Sequence, residues 1–177
     1  FIFIVGDVAG KGMSSALLMA MTRTVIRSHA NTISDPAEII TLANSDLYED
    51  YTEVSKFTTA FVGAYLAHLG VIRISNAGHS PVIFCPFDGE PRMLHAQDMP
   101  VGILPDNQFS CENLNFRPGD ILVIATDGFS EANNVVGEMF GYERLLAVVK
   151  SVSDQTADSV LDTLFNTIKE FSTGTEQ

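Results

Sequence analysis

The chain has 177 residues, of which 46% are hydrophobic and 18% charged, and its formal net charge is −12. That length and apolar content suit one folded domain with a substantial core and argue against a disordered chain. So acidic a balance disfavours nucleic acid and anionic membranes, which are bound through basic patches, but leaves open a cation-assisted site for an anionic substrate.

The first element is an apolar strand, Phe1-Ile2-Phe3-Ile4-Val5-Gly6-Asp7-Val8, with the length and β-branched content of a buried strand. Ala9-Gly10-Lys11-Gly12 turns it into a helix over about 13–30, where Met13, Ala16, Leu17, Ala20, Met21, Thr24 and Val25 recur at helical spacing. The next helix carries its own start signal. Asp35 can cap, Pro36 suits the first helical position and Glu38 closes a capping box. Ile39, Ile40, Leu42, Ala43 and Leu47 give it an apolar face, and Asp46, Glu49, Asp50 and Glu53 read as a solvated acidic end.

The middle reads as antiparallel strands: 58–66, then 71–76 after a turn at His68-Leu69-Gly70, then 81–85 after Ala77-Gly78-His79-Ser80. Asp88-Gly89 is a hairpin signal with Arg92-Met93-Leu94 as the return strand. A loop follows over 95–105, then a strand near 109–116 and a turn at Arg117-Pro118-Gly119-Asp120. A second apolar strand, Ile121-Leu122-Val123-Ile124-Ala125-Thr126, ends on Asp127-Gly128. Two helices close the chain, over 142–149 and about 154–171, the last with Leu161, Leu164, Phe165, Ile168 and Phe171 on one face. Runs of strands flanked by runs of helices imply an α+β fold, with a four-layer α-β-β-α sandwich of two mainly antiparallel sheets flanked by helix pairs as the expected architecture.

Cys85 and Cys111 have neither metal-finger nor redox spacing, and no apolar run approaches the roughly 20 residues of a membrane span. The expectation is a reduced, cytoplasmic protein without a membrane segment. The chain opens in mid-strand without an initiator Met and closes on the turn-like Ser172–Gln177, which reads as a single domain, 1–177, cut at both ends.

Each of the two apolar strands ends on an Asp beside a Gly. A carboxylate at a buried strand end is costly unless a cation meets it, so the pair suggests a shared metal site. The glycine lets backbone approach a ligand and can free a carbonyl for coordination. With no thiolate or paired-His set, hard magnesium or manganese is favoured over zinc. Each Asp alone could simply terminate its strand or cap a turn. The Gly-rich turn is no nucleotide loop: three residues separate Gly6 from Gly10, and Gly12 stands where a P-loop needs Ser or Thr.

Gly6-Asp7-Val8-Ala9-Gly10-Lys11-Gly12 with Ala16-Leu17-Leu18-Met19 resembles the first motif of the SpoIIE-like branch of the metal-dependent (type 2C, PPM) protein serine/threonine phosphatases. Phe57-Thr58-Thr59-Ala60, Asn76-Ala77-Gly78-His79-Ser80-Pro81, Pro118-Gly119-Asp120 through Thr126-Asp127-Gly128-Phe129-Ser130-Glu131-Ala132, and Phe140-Gly141-Tyr142-Glu143-Arg144-Leu145 resemble its later motifs, in order. The resemblance implies a two-metal manganese or magnesium site in which Asp7 bridges the ions, the Val8 carbonyl binds one and Asp127 the other. It implies that a metal-activated water attacks phosphoserine or phosphothreonine with no phospho-enzyme. The implied substrate is a phosphorylated anti-sigma-factor antagonist in bacterial partner switching, with an upstream sensor domain in the full-length protein and a homodimer among the admissible assemblies.

Two departures carry an expectation. An upstream strand with a further acidic residue and a terminal Asp-Asp-x-Thr strand belong to the family pattern and lie outside this chain, so it is expected to bind metal weakly and to be slow or inactive. Lys11 either touches the substrate phosphate, holds the loop or points to water. His79 is either a catalytic acid or, the blander reading, a turn histidine. The methionines of the first helix, Met13, Met19 and Met21, are expected in the core rather than on a partner surface. The alternative function is a non-catalytic phosphatase-fold module that binds a regulatory partner.

Overall fold

The computed structural model describes residues 1–174; the closing-turn reading of Ser172–Gln177 therefore falls partly outside the described residues. The fold is α+β, with two antiparallel sheets and four helices, and the chain divides into two compact units.

Unit 1 comprises residues 1–80 and 95–116. Its sheet has the order β1-β2-β3-β6, from β1 (Ile2–Val8), β2 (Thr58–Leu66), β3 (Val71–Ala77) and β6 (Glu112–Asn115). All three pairings are antiparallel, with Asp7 opposite Thr59 and Val8 opposite Thr58. The helices α1 (Met13–Ala30) and α2 (Pro36–Glu53) pack on it around Leu18, Ile40, Leu47, Tyr51, Ala60 and Val62. The start signal of α2 works as read: Asp35 Oδ1 accepts from the Ala37 amide at 3.0 Å, and Pro36 stands in the first turn. The other Asp35 oxygen takes the Arg73 guanidinium at 2.7 Å. Asp46, expected in water, meets His29 of α1 at 2.8 Å.

Three sequence expectations are corrected here. β1 is not a buried strand but an edge: Ile4 is 39% exposed and Asp7 lies in the open. The helix α1 buries Ser15, Leu18, Thr22 and Ile26, while Met13 (77%), Met19 (56%) and Met21 (39%) face outward. This helix carries large apolar residues off its inward stripe as well as on it, and two hydroxyl residues on that stripe are matched by hydrogen bonds, so hydrophobicity alone selects the wrong face. The helix α4 shows the same shift, as described next.

Unit 2 comprises residues 81–94 and 117–177. Its sheet has the order β5-β4-β7, from β4 (Val82–Cys85), β5 (Arg92–Leu94) and β7 (Ile121–Val123). The Asp88-Gly89 hairpin forms, with β4 and β5 antiparallel. β7 is shorter than the apolar run that suggested it, and residues 124–126 continue without strand pairing. The helices α3 (Gly141–Ser151) and α4 (Ala157–Phe171) pack with Ile83, Cys85 and Phe140 through Leu145, Val149, Val160, Leu164 and Ile168. Thr156 caps α4 by accepting from the Ser159 amide, so the helix starts later than its sequence suggests. Leu161 (50%) and Phe165 (55%) are exposed, and Val160 takes the inward place. Cys85 and Cys111 are free thiols, and burial pushes both above their ordinary pKa. Among the described residues no helix is long and apolar enough to cross a membrane.

Candidate active site

Asp7 is the penultimate residue of an edge strand. Ile2, Ile4, Gly6 and Val8 share a groove with Met19, Thr22 and Ile26 of α1, so strand alternation turns Asp7 to the sheet face opposite the helices. Its carboxylate has no hydrogen bond or ion pair among the described residues.

The backbone around it is fixed by the sheet. Phe1 and Tyr65 exchange bonds at one end of the β1–β2 ladder, and the Ala9 amide donates to Phe57 O at 2.9 Å at the other. Hydrogen-bonded pairs alternate along an antiparallel ladder, which makes Asp7–Thr59 a bonded pair and Val8–Thr58 a non-bonded one. The Val8 carbonyl therefore faces away from β2, toward the open edge of β1.

Behind Asp7 lies a polar row. The Thr59 hydroxyl approaches the Asp7 carbonyl at 3.5 Å and pairs with His79 Nδ1 at 3.2 Å. The His79 amide donates to Asn76 Oδ1 at 2.8 Å, and the residue is only 3% exposed. Gly78 takes φ 68°, and a Cβ there would strike Pro100 at 2.5 Å. His79 is thus a buried turn residue whose ring meets a hydroxyl on the strand next to Asp7.

Lys11 stands exposed on the turn without a hydrogen bond or ion pair among the described residues. Another lysine touches that turn. Lys56 Nζ donates to Ala9 O at 3.2 Å and to Ser15 Oγ at 2.9 Å. Sequence reading missed Lys56; the one signal was a cation immediately before the Phe57-Thr58-Thr59 motif.

Asp127 and Gly128 belong to the other unit. The Asp127 carbonyl accepts from the Glu131 amide at 2.8 Å and the Ser130 hydroxyl at 3.1 Å, so Asp127 opens a tight turn with its carboxylate exposed. A Cβ on Gly128 would meet only Thr126 Oγ1, at 3.9 Å, leaving open space beside Asp127. Arg144 of α3 fastens the segment after this turn: it donates to the Met139 and Phe140 carbonyls at 2.8 and 3.0 Å, pairs with Glu138 at 2.5 Å and lies over the Phe171 ring at 5.1 Å. The Arg144 hydrogen bond and charge hold the Glu138 carboxyl below its ordinary pKa.

No group of three or more His, Cys, Asp and Glu that could hold a metal ion occurs among the described residues. The donors that are present nonetheless suit a hard cation, since magnesium is commonly held by one or two carboxylates and keeps several waters. Asp7 offers an unpaired carboxylate beside an outward-facing carbonyl, and Asp127 offers a second unpaired carboxylate on its own turn.

The family model described as Stage II sporulation protein E (SpoIIE) matches residues 1–177, and the chain belongs to that family, within the SpoIIE-like branch of the PPM phosphatases. It is 26% identical over 169 residues to Protein IcfG of Synechocystis sp., covering 81% of this chain and 27% of that protein. It is 27% identical over 134 residues to Phosphoserine phosphatase RsbU of Bacillus subtilis, covering 75% of this chain and 40% of that protein. The chain thus spans less than half the length of these relatives. Among solved structures, the SiaA-PP2C domain of Pseudomonas aeruginosa matches with a TM-score of 0.85 at 19% identity, over 98% of this chain and 70% of that one. RsbX in complex with magnesium matches with a TM-score of 0.68 at 16% identity, over 97% and 74%. These likenesses show that the fold is that of PP2C-type phosphatase domains.

Proposed function

We propose that the chain is a single protein phosphatase domain that hydrolyses phosphoserine or phosphothreonine in a protein substrate with the help of manganese or magnesium. One observation carries this reading: in a member of the SpoIIE family, the segment Gly6-Asp7-Val8 ends an edge strand with an exposed, unpaired carboxylate beside a carbonyl turned to the open edge. Asp7, the Val8 carbonyl and Asp127 are the residues that would hold the cations. When bound, such cations make water more acidic and neutralise charge on the phosphoryl group.

The remaining roles fall to the chain's own groups. Thr59 and His79 support the strand backbone that carries Asp7. Lys11, exposed and unpaired, is available to the substrate phosphate, and Gly128 leaves room beside Asp127. Likeness to a phosphoserine phosphatase and to a magnesium-bound relative supports the chemistry. A phosphorylated regulatory protein of the anti-sigma-factor antagonist type, the substrate that the family resemblance implies, and a cytoplasmic setting complete the proposal. A second reading, a phosphatase-fold module that binds a regulatory partner without turnover, draws on the outward Met13, Leu17, Met19 and Met21 of α1.

Phosphate release from a phosphoserine peptide separates the two. The enzyme reading expects slow release that requires manganese and disappears in Asp7→Asn. Release that is absent at saturating manganese favours the binding module, and release that is equal in Asp7→Asn contradicts the role given to Asp7.

A further inference from the structure

Lys56 lies on the connection between α2 and β2, 47 residues from the carbonyl it holds. Its ammonium donates to Ala9 O at 3.2 Å and to Ser15 Oγ at 2.9 Å, and the Ser15 hydroxyl itself reaches Ala9 O at 3.3 Å. The next residue, Phe57, accepts the Ala9 amide at 2.9 Å. Two consecutive residues of one connection therefore grip Ala9 at both its amide and its carbonyl. The Ala9 amide shares a trans peptide plane with the Val8 carbonyl, so fixing the amide toward Phe57 points the Val8 oxygen the other way. The Lys56 bond then fixes the following peptide plane, and bonds from an ammonium are the stronger kind.

The connection is shaped to deliver that ammonium. Ser55 has φ 52°, the only left-handed residue other than glycine among the described residues. Such a conformation is strained and persists where the surroundings enforce it. Here the Ser55 and Lys56 amides donate to Thr52 O and Tyr51 O, both at 3.1 Å. On the receiving side, Gly10 has φ 88°, and a Cβ there would stand 2.6 Å from Lys56 Nζ. The glycine of the motif thus makes room for the lysine.

We propose that Lys56 is a positioning residue for the cation site at the end of β1, clamping Ala9 so that the Val8 carbonyl and the Asp7 backbone are held ready. The inference rests on the proposed role of Asp7 and Val8. Its test pairs amide hydrogen exchange on the metal-free chain with manganese calorimetry, for wild type, Lys56→Met, Lys56→Arg and Asp7→Asn.

Lys56→Met should speed exchange at Ala9 and Gly10 and weaken manganese binding about tenfold or more, the usual effect of losing a supporting contact. Its melting temperature should stay near that of wild type, and Lys56→Arg should restore part of both effects. Asp7→Asn should lose manganese and leave exchange at Ala9 unchanged. Wild-type exchange and manganese affinity in Lys56→Met would overturn the proposal. Wild type that takes up no manganese refutes the metal reading and with it the positioning role, while the exchange arm still decides whether the clamp exists. Should Lys56→Met fail to fold, Ser15→Ala removes one partner of the ammonium and should speed the same amides by a smaller factor; unchanged exchange there overturns the clamp.

Discussion

Tyr51 shows how single residues tie this fold together. It is fully buried, and its hydroxyl sits between those of Thr22 on α1 and Thr58 on β2. Thr22 gives its proton to Leu18 O at 2.7 Å, so Tyr51 must donate to Thr22 and accept from Thr58. Burial raises the phenol pKa, with the hydrogen bonds that link it to the Thr22 and Thr58 hydroxyls opposing it. A raised pKa in the folded state contributes stability that is complete below the ordinary phenol value of about 10 and fades as pH rises through the higher one. Urea midpoints across alkaline pH should therefore fall more steeply for wild type than for Tyr51→Phe. At neutral pH, Tyr51→Phe should cost about 1–3 kcal/mol, because it takes from the Thr58 hydroxyl its acceptor in the core. Equal midpoints for both proteins at neutral pH would contradict the hydroxyl chain. Asp7 and Asp127 could be picked out in the sequence because each adjoins a glycine at the end of an apolar run. Lys56 and Tyr51 could not, because Thr22 lies 29 residues from Tyr51 and Ala9 lies 47 from Lys56, and only the fold brings them together.

At the scale of elements, local signals and the inward face of α2 through Ile39, Ile40, Ala43 and Leu47 were legible, whereas the face of α1 and part of that of α4 were not. Asp35-Pro36 marked the start of α2 because capping is a contact within one turn. Asp35→Ala should lower stability by about 1 kcal/mol from the lost cap, with little added by the half-exposed Arg73 pair; a thermal melt unchanged from wild type would refute the cap. The helices α1 and α4 misled because both are apolar over more than one stripe, and the inward stripe was chosen by what it meets. On α1 it holds Ser15 and Thr22, whose hydroxyls find partners; on α4 Val160 replaces Leu161. The segment after Asp127 depends on Arg144, which was read as part of a motif but not as its fastening. Arg144→Met should expose 131–141 to proteolysis. The Glu138 carboxyl, held below its ordinary pKa by Arg144, contributes while ionised and ceases to as pH falls through that depressed value. Proteolysis of this segment in wild type should therefore rise at acid pH, and Arg144→Met should already be cut at neutral pH. Equal cleavage of wild type and variant at neutral pH would count against the fastening.

For the whole molecule, the α+β class, the strand order in sequence and the family could be read from the chain, since five motifs recur in order across it. What the sequence could not supply was the edge position of β1, which depends on which strands pair, nor the outward methionines of α1. The central claim is that the strand-end carboxylates hold divalent cations. A ligand that binds only the folded state adds about 2.7 kcal/mol at a hundred times its dissociation constant, so manganese should raise the melting temperature of wild type more than that of Asp7→Asn. The most direct measurement is equilibrium dialysis of manganese against wild type, Asp7→Asn and Asp127→Asn. The account predicts uptake by wild type and at least about tenfold weaker uptake by each variant. Uptake that is the same in all three proteins would contradict it.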